Sequence, residues 1–161
     1  YAEAGRFDEA FTQFKKTIEL SPDYPMSYWY LADIYFERGM YEESLAMSSK
    51  GDLLLKVETP ESDARKTSEL RRALQSGGVK GYWTKALEYE MEWYEKGISS
   101  PFYLAAVCAE LGDKNKAFEW LEKAYADRNF DLTNLKTNRR LRSLHSDPRF
   151  HDLLRRVGLA Q

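Results

Sequence analysis

The sequence predicts an all-α fold built from consecutive antiparallel helix pairs. Three observations support this: a glycine recurs at a near-constant interval, apolar residues keep a fixed register around it, and capping residues precede prolines at expected helix starts. The recurring glycines are Gly5, Gly39, Gly78 and Gly112. They are separated by 34, 39 and 34 residues, so the middle interval contains five extra residues. An interval of this size is typical of a helical repeat.

The positions around each glycine predict two amphipathic helices joined by a tight turn. Four residues before the glycines stand Tyr1, Tyr35, Leu74 and Cys108. Eight residues before the last three glycines stand Leu31, Leu70 and Leu104. Five residues after the glycines stand Ala10, Ser44, Trp83 and Ala117. These spacings place side chains on one face of a helix, and a glycine with positive φ ends the first helix of each pair.

Helix starts are predicted where a capping side chain precedes proline, at 21–22, 59–60, 100–101 and 147–148. With the apolar periodicity, they predict helices at 7–20, 25–38, 41–56, 60–76, 80–96, 101–111, 114–127, 131–143 and 148–157. Gly51 and Asp52 interrupt the apolar pattern of the helix at 41–56. We therefore expect the five extra residues within 49–63, as a lengthened helix or a longer connection.

The composition is that of a globular or repeat protein. The 161 residues are 43% hydrophobic and 31% charged, and a net charge of −2 argues against nucleic acid or an anionic membrane as the main partner. No apolar run reaches the roughly 20 residues that a transmembrane helix needs, and no signal-peptide pattern is present. The single cysteine, Cys108, suits a reducing compartment, so we expect a cytoplasmic protein.

Segments of the chain resemble the tetratricopeptide-repeat (TPR) family. The family's series on its first helix and turn is followed by Tyr28, Leu31, Ala32, Tyr35, Gly39 and Tyr41. The stretches GRFDEAFTQFKKTIELSPDYP and LAAVCAELGDKNKAFEWLEKAYADR are also close to the family pattern, whereas a third unit departs from it at Arg71, Lys80 and Trp83. The resemblance implies a right-handed α-solenoid of antiparallel helix pairs that binds other proteins.

The repeats are predicted over 1–128, as a partial unit at 1–24 and full units at 25–63, 64–97 and 98–128. Residues 129–161 lack the register and are predicted to form C-terminal capping helices of the same domain. The stretch LRSLHSDPRFHDLLRRVGL resembles the C-terminal end of TPR regions in bacterial multidomain regulators, which carry a winged-helix or protein-kinase domain at the N-terminus. Because Tyr1 also lies inside a repeat, we expect the C-terminal region of such a regulator.

Residues able to carry chemistry are interpreted as structural. His145 and His151 are six residues apart with a proline between them, which does not suit metal binding on one helix face. Cys108 is expected to be a buried thiol, because no histidine is near it in sequence or register. The glycine pair at 77–78 lacks the strand and the Lys-Ser/Thr of a phosphate-binding loop. We therefore predict no enzyme activity, no metal site and no cofactor.

The charge of the tail leaves a second interpretation open. Residues 129–161 contain seven Lys or Arg against three Asp, a net charge of +4, whereas residues 1–128 carry −6. A basic tail is typical of a patch for nucleic acid or for an acidic partner. A solvated capping face is the simpler interpretation, because aromatic residues for base stacking are nearly absent there.

An aromatic stripe is the candidate binding site. Trp29, Asp33 and Phe36 lie beside the internal series of the first helix of the unit at 25–63, and Phe102 holds the matching position in the last unit. In TPR proteins this stripe lines a concave groove, so the resemblance implies a groove for an apolar or aromatic peptide. The alternative is that Trp29 and Phe36 fill the joint to the next hairpin.

The predicted function is a protein–protein interaction scaffold that binds a peptide or protein in this groove. A nucleic-acid-binding helical repeat and a self-association module are the alternatives. Self-association would use the open N-terminal end, because residues 1–4 form only the last turn of a helix and leave the apolar face at 7–20 without its partner. The basic clamp with which some TPR proteins hold C-terminal carboxylates is not expected, because Trp29 and Asp33 stand at its positions.

Overall fold

The secondary structure is helical throughout the part of the chain that the computed structural model describes, residues 7–159. The α-helices are α1 (Phe7–Leu20), α2 (Pro25–Glu37), α3 (Tyr41–Leu55), α4 (Pro60–Glu95), α5 (Pro101–Glu110), α6 (Lys114–Ala126) and α7 (Pro148–Arg156). Six of the seven begin at the predicted residue and end within one residue of the predicted end. The predicted all-α, TPR-like helical-repeat fold is confirmed. None of the helices between residues 7 and 159 is long and apolar enough to span a membrane.

The chain divides into two compact units, unit 1 (Tyr1–Arg72) and unit 2 (Ala73–Gln161). Unit 1 contains α1, α2, α3 and the first part of α4, and unit 2 contains the remainder. Helix α4 is interrupted at Gly78, which has a non-helical backbone with φ 62° and ψ −157°. Just beyond it, a Cβ at Gly81 would lie 2.4 Å from the carbonyl oxygen of Ala73, so the backbone passes close to itself there.

The predicted glycine turns are confirmed at the three positions that the structure describes, while Gly5 lies outside them. Gly39, Gly78 and Gly112 have φ angles of 73°, 62° and 80°. After α2, the amide of Met40 donates to the carbonyl of Tyr35 at 2.9 Å, and after α5 the amide of Asp113 donates to the carbonyl of Cys108 at 3.0 Å. This bond from one residue past the glycine to the last helical turn is the Schellman motif, which needs a residue with positive φ.

The extra residues of the middle interval lie mainly in α4, not within 49–63. Pro60 precedes Gly78 by 18 residues, whereas Pro25 precedes Gly39 by 14, so four of the five extra residues belong to the first half of α4. Helix α3 continues through Gly51 and Asp52, which are both buried. The apolar pattern is therefore interrupted at two buried positions, while the helix itself is continuous.

The predicted helix starts hold at three of the four capping pairs. Asp147 accepts a hydrogen bond from the amide of Arg149 at 3.0 Å, and Thr59 accepts one from the amide of Ser62 at 3.2 Å. Ser100 precedes α5, but its hydroxyl donates to Asp131 at 2.7 Å instead of capping the helix. The pair at 21–22 does not start a helix, because α2 begins at Pro25.

The predicted helix at 131–143 is wrong. This segment forms two short 3₁₀ helices, Phe130–Asn134 and Arg139–Leu144. Each begins after an asparagine: the Oδ1 atom of Asn129 accepts from the amide of Asp131 at 3.0 Å, and that of Asn138 accepts from the amide of Arg140 at 3.1 Å. A second cap in the middle of the segment starts a new turn and prevents one continuous helix.

The two units bury different sets of side chains. In unit 1, the internal positions predicted on α2 are buried, including Tyr28, Leu31 and Ala32. In unit 2, residues of α5 and α6 form one apolar core with residues of the C-terminal tail. The tail contributes Leu132, Leu135, Leu141, Leu144, Phe150, Leu153 and Leu154. The segment predicted to cap the repeats is therefore part of the core of unit 2.

Candidate functional site

Trp29 packs closely against α3. Its indole Nε1 donates a hydrogen bond to Asp52 Oδ1 at 2.9 Å. A Cβ added at Gly51 would lie 2.5 Å from the same nitrogen, so only glycine leaves room for the indole. These contacts pack Trp29 against the second helix of its own pair, and both the groove role and the joint to the next hairpin stay predictions.

Asp33 and Phe36 remain partly exposed on α2. The ring of Phe36 meets that of Tyr41 edge to face, with centroids 5.1 Å apart. Asp33 is close to Tyr30, whose pKa is raised by burial first and then by Tyr24 and Asp33. A carboxylate and an aromatic ring are thus accessible one helical turn apart, a combination that can contact a peptide carrying both apolar and basic groups.

Phe102 does not lie on a surface. Its side chain is 0% exposed and belongs to the apolar core of unit 2. Because α5 is buried along most of its length, the position that corresponds to Trp29 serves packing in this unit. The structure therefore gives no support to the expected extension of the groove to Phe102.

A group of buried charges joins α3 to the start of α4, and we name Asp52, Glu58, Asp63 and Lys66 the Lys66 cluster. Lys66 Nζ contacts Asp52 Oδ2 and lies 3.4 Å from Asp63 Oδ1 and 3.9 Å from Glu58 Oε1. The side chains of Lys66, Asp52 and Asp63 are 4%, 2% and 6% exposed, respectively. Charges this deeply buried persist only when they are paired and hydrogen-bonded.

Neutral donors complete the Lys66 cluster. The hydroxyl of Ser49 donates to Asp63 Oδ2, and the hydroxyl of Ser62 donates to Glu58 Oε2. The indole of Trp29 donates to Asp52, as described above. Burial raises the pKa of Asp52, and the neighbouring Asp63 adds to the rise, while Lys66 and the Trp29 hydrogen bond oppose it.

Sequence reasoning missed this cluster. Gly51 and Asp52 interrupt the apolar pattern of α3, and a small residue followed by a carboxylate inside a helix also suits a close contact with a large polar ring. The spacing of Asp63 and Lys66, three residues apart on one helix, places them on one face. That spacing was the available indication, but it cannot show that Asp52 from another helix meets them.

The exposed aromatic residues of unit 1 form a second surface, next to the N-terminal end of the described chain. The rings of Phe14 and Tyr30 are stacked, with centroids 5.0 Å apart and an interplanar angle of 19°. Nearby in sequence, Leu20 and Tyr24 are 75% and 52% exposed. The first six residues, with Tyr1 and the proposed open end, lie outside the described part of the chain.

Several arginines of the C-terminal tail are held by carboxylates of unit 2. Both Nε and Nη2 of Arg149 donate to Asp147, at 3.0 and 2.8 Å. Arg156 forms a two-point contact with Glu122 and a further ion pair with Asp152 at 2.9 Å. Arg155 also pairs with Asp152. Guanidinium groups engaged in this way contribute little to a free phosphate-binding patch.

Cys108, His145 and His151 are the remaining residues considered for chemistry. Cys108 is buried, as predicted, and burial raises the pKa of its thiol to about 11, so the thiolate is scarce at neutral pH. The ring of His145 lies against Phe150, with centroids 4.6 Å apart, whereas His151 is exposed. Across residues 7–159, no group of three or more His, Cys, Asp or Glu side chains is arranged to hold a metal ion.

Comparison with known proteins supports the TPR family for the N-terminal part of the chain. A family model described as TPR repeat matches residues 1–39. The matched segment covers α1 and α2 and ends at Gly39, so it includes Trp29, Asp33 and Phe36. TPR repeats in general mediate protein–protein interaction and are not catalytic. The comparisons with curated proteins and with solved structures gave no match.

Proposed function

We propose that the chain is a protein–protein interaction scaffold and that unit 1 contacts a peptide or protein partner through the exposed side of α2. The observation that carries this proposal is the TPR repeat match over residues 1–39. The accessible residues of α2 that would contact the partner are Asp33 and Phe36. Trp29 lies beside them, and its hydrogen bond to Asp52 would fix the floor of the contact surface.

The test is a screen of a displayed peptide library against the whole chain, followed by measurement of the dissociation constants of selected peptides. We expect Phe36→Ala to weaken binding at least tenfold, because truncation of an aromatic anchor typically costs about 2 kcal/mol. The matched control is Phe130→Ala in unit 2, where the side chain is 81% exposed. Equal affinities for wild type and Phe36→Ala, with the helical content unchanged, would refute the proposed surface.

A second candidate function is self-association, which the exposed aromatic surface around Phe14 and Tyr30 supports. Sedimentation equilibrium of wild type and of Tyr30→Ser distinguishes this candidate from a separate partner. A dimer that Tyr30→Ser dissociates would favour self-association. A monomer at all concentrations leaves the separate partner as the proposal.

We also propose that the chain belongs to a larger bacterial regulator of the cytoplasm. The support is the resemblance of the tail sequence to the end of TPR regions in such regulators. The neighbouring coding sequence tests this: a winged-helix or protein-kinase domain upstream is the expected finding. Binding of the chain to DNA or RNA with strong salt dependence would favour the nucleic-acid alternative, against which the ion pairs of Arg149 and Arg156 argue.

A further inference from the structure

We propose that the Lys66 cluster is a buried proton-binding site, in which the folded chain holds one proton that the unfolded chain releases. The inference concerns unit 1 alone and does not depend on the proposed partner surface. It rests on the charges that the fold brings together and on the hydrogen bonds around them.

The Lys66 cluster contains more carboxylates than ammonium groups. Lys66 forms ion pairs with three carboxylates, those of Asp52, Asp63 and Glu58. Even without Glu58, whose side chain is 10% exposed, two buried carboxylates share one ammonium group. Two carboxylates that share a site cannot both stay ionised at low cost, because each charge disfavours the other.

The two buried aspartates differ in the hydrogen bonds that their oxygens accept. Both oxygens of Asp52 accept hydrogen bonds, Oδ1 from Trp29 and Oδ2 from Lys66. Asp63 Oδ2 accepts one from Ser49, but no donor within the described residues hydrogen-bonds to Asp63 Oδ1. That oxygen is buried and lies 3.4 Å from Lys66 Nζ without a hydrogen bond. A buried oxygen in this state leaves the negative charge of the cluster poorly compensated, and one proton bound by the cluster as a whole removes the excess charge.

The side chains of the Lys66 cluster and its hydrogen-bond donors come from α2, α3, α4 and the segment between α3 and α4. Among the described residues, α2 contributes the neutral indole of Trp29, and α3 contributes Asp52 and Ser49. The segment between α3 and α4 contributes Glu58, and α4 contributes Asp63 and Lys66. The described ion pairs of the site therefore include a single cation, so protonation of one carboxylate leaves Lys66 paired with the others. The proton belongs to the coupled cluster and not to one residue.

The direction of the effect follows from the raised pKa of Asp52. A carboxyl group whose folded-state pKa is above its unfolded value stabilises the fold fully below the unfolded pKa, and that contribution is lost as the pH rises through the folded pKa. Acidification toward the ordinary range of Asp, about 4, should therefore tighten the contact between α3 and the start of α4.

The experiment is an NMR titration of the whole chain that follows the indole N–H resonance of Trp29. This proton lies in the hydrogen bond to Asp52, so its chemical shift reports the charge of the cluster directly. The resonance is assigned with Trp29→Phe. We expect a one-proton transition with a midpoint above the ordinary Asp range of about 4.

The test variant is Asp63→Asn, which keeps the shape of the site and removes one of the two most buried carboxylates around Lys66. The midpoint should move to lower pH in this variant and should not move in the control Asp23→Asn, an exposed position of unit 1. A midpoint at or below the ordinary Asp range in wild type would overturn the proposal. An unchanged midpoint in a folded Asp63→Asn variant would overturn it as well.

Discussion

Unit 1 buries Asp52, Asp63 and Lys66 where its helices meet, whereas the described core of unit 2 is built from leucine, alanine and aromatic side chains. In unit 1, the contact of α3 with the start of α4 depends on an ion pair and on an indole hydrogen bond. In unit 2, the tail packs against α5 and α6 through apolar surface, and the ion pairs of Arg149 and Arg155 lie near the solvent.

The two units specify their helix packing in different ways. Apolar packing tolerates exchange of side chains of similar volume, so many sequences suit unit 2. A buried ion pair is weak evidence for stability but requires one arrangement of its partners, because any shift leaves a charge unpaired. We infer that unit 1 is the more selective half for helix register, and that removing one member of its buried ion pair should have a larger effect than a packing change in unit 2.

The largest expected effect is that of Lys66→Met. This change leaves the carboxylates of Asp52 and Asp63 buried without their cation, and loss of one member of a buried pair costs about 3–5 kcal/mol. Hydrogen exchange followed by mass spectrometry should show a larger increase in exchange rate, relative to wild type, in the peptides of unit 1 than in those of unit 2.

The control for Lys66→Met is Lys123→Met in α6, where the lysine is 45% exposed and pairs with Asp127. This change should produce no measurable loss, because exposed pairs contribute little. The double variant Asp52→Asn with Lys66→Met should recover part of the loss, since the pair is then removed as a whole. A Lys66→Met variant as stable as wild type would contradict the comparison between the units.

The next effect is that of Ala117→Leu in unit 2. Ala117 lies on α6 and is 0% exposed in the core of unit 2. The larger leucine side chain should therefore overfill this site, at a cost of about 1–3 kcal/mol. The control is Ala126→Leu, at an exposed position of the same helix. Urea denaturation of both variants measures the difference, and equal midpoints would show that the core of unit 2 adapts to the larger side chain.

A smaller effect is expected for Gly51→Ala in unit 1. The new Cβ would lie 2.5 Å from Trp29 Nε1 and would displace the indole from Asp52. The cost of this overpacking, about 1–3 kcal/mol, is partly offset by the gain of about 0.5–1 kcal/mol from replacing a helical glycine. Gly77→Ala, also within a helix but with no atom within 4 Å of the new Cβ, should instead stabilise. Thermal denaturation should therefore shift in opposite directions for the two variants.

The sequence predicted the helices and turns of both units because these depend on local patterns. The glycines at 39 and 112 end helices by the same hydrogen bond, and the apolar spacing around them fixes the faces of α2 and α5. The pair of 3₁₀ helices was missed, although Asn129 and Asn138 are capping residues that mark two separate starts.

The candidate site was less predictable, because burial depends on contacts between distant segments. Trp29 and Phe102 occupy matching repeat positions, yet Trp29 hydrogen-bonds to Asp52 of α3 and Phe102 lies inside the core of unit 2. No periodicity distinguishes these outcomes. The same holds for Lys66, whose solvent exposure would be expected from its residue type alone.

Acidification should act in opposite directions on one carboxyl group of each unit, although both effects are small. At the start of α7, the side chain of Arg149 holds the pKa of Asp147 at about 2, and the amide of Arg149 adds to the lowering. A carboxyl group whose folded pKa is depressed stabilises the fold above its unfolded pKa of about 3.9, and that contribution is lost as the pH falls toward 2. The protection factors of the α7 amides, which correct for the intrinsic pH dependence of exchange, should therefore fall on acidification over this range, while those of α3 and the start of α4 in unit 1, where the contribution is already complete below about 3.9, should not fall. Asp147→Asn, which retains a capping side chain, should remove the pH dependence in α7 without affecting unit 1. If α7 and the contact of α3 with the start of α4 both lose protection as the pH falls, the proton-binding site in unit 1 is contradicted. The two units then differ only in their packing at neutral pH.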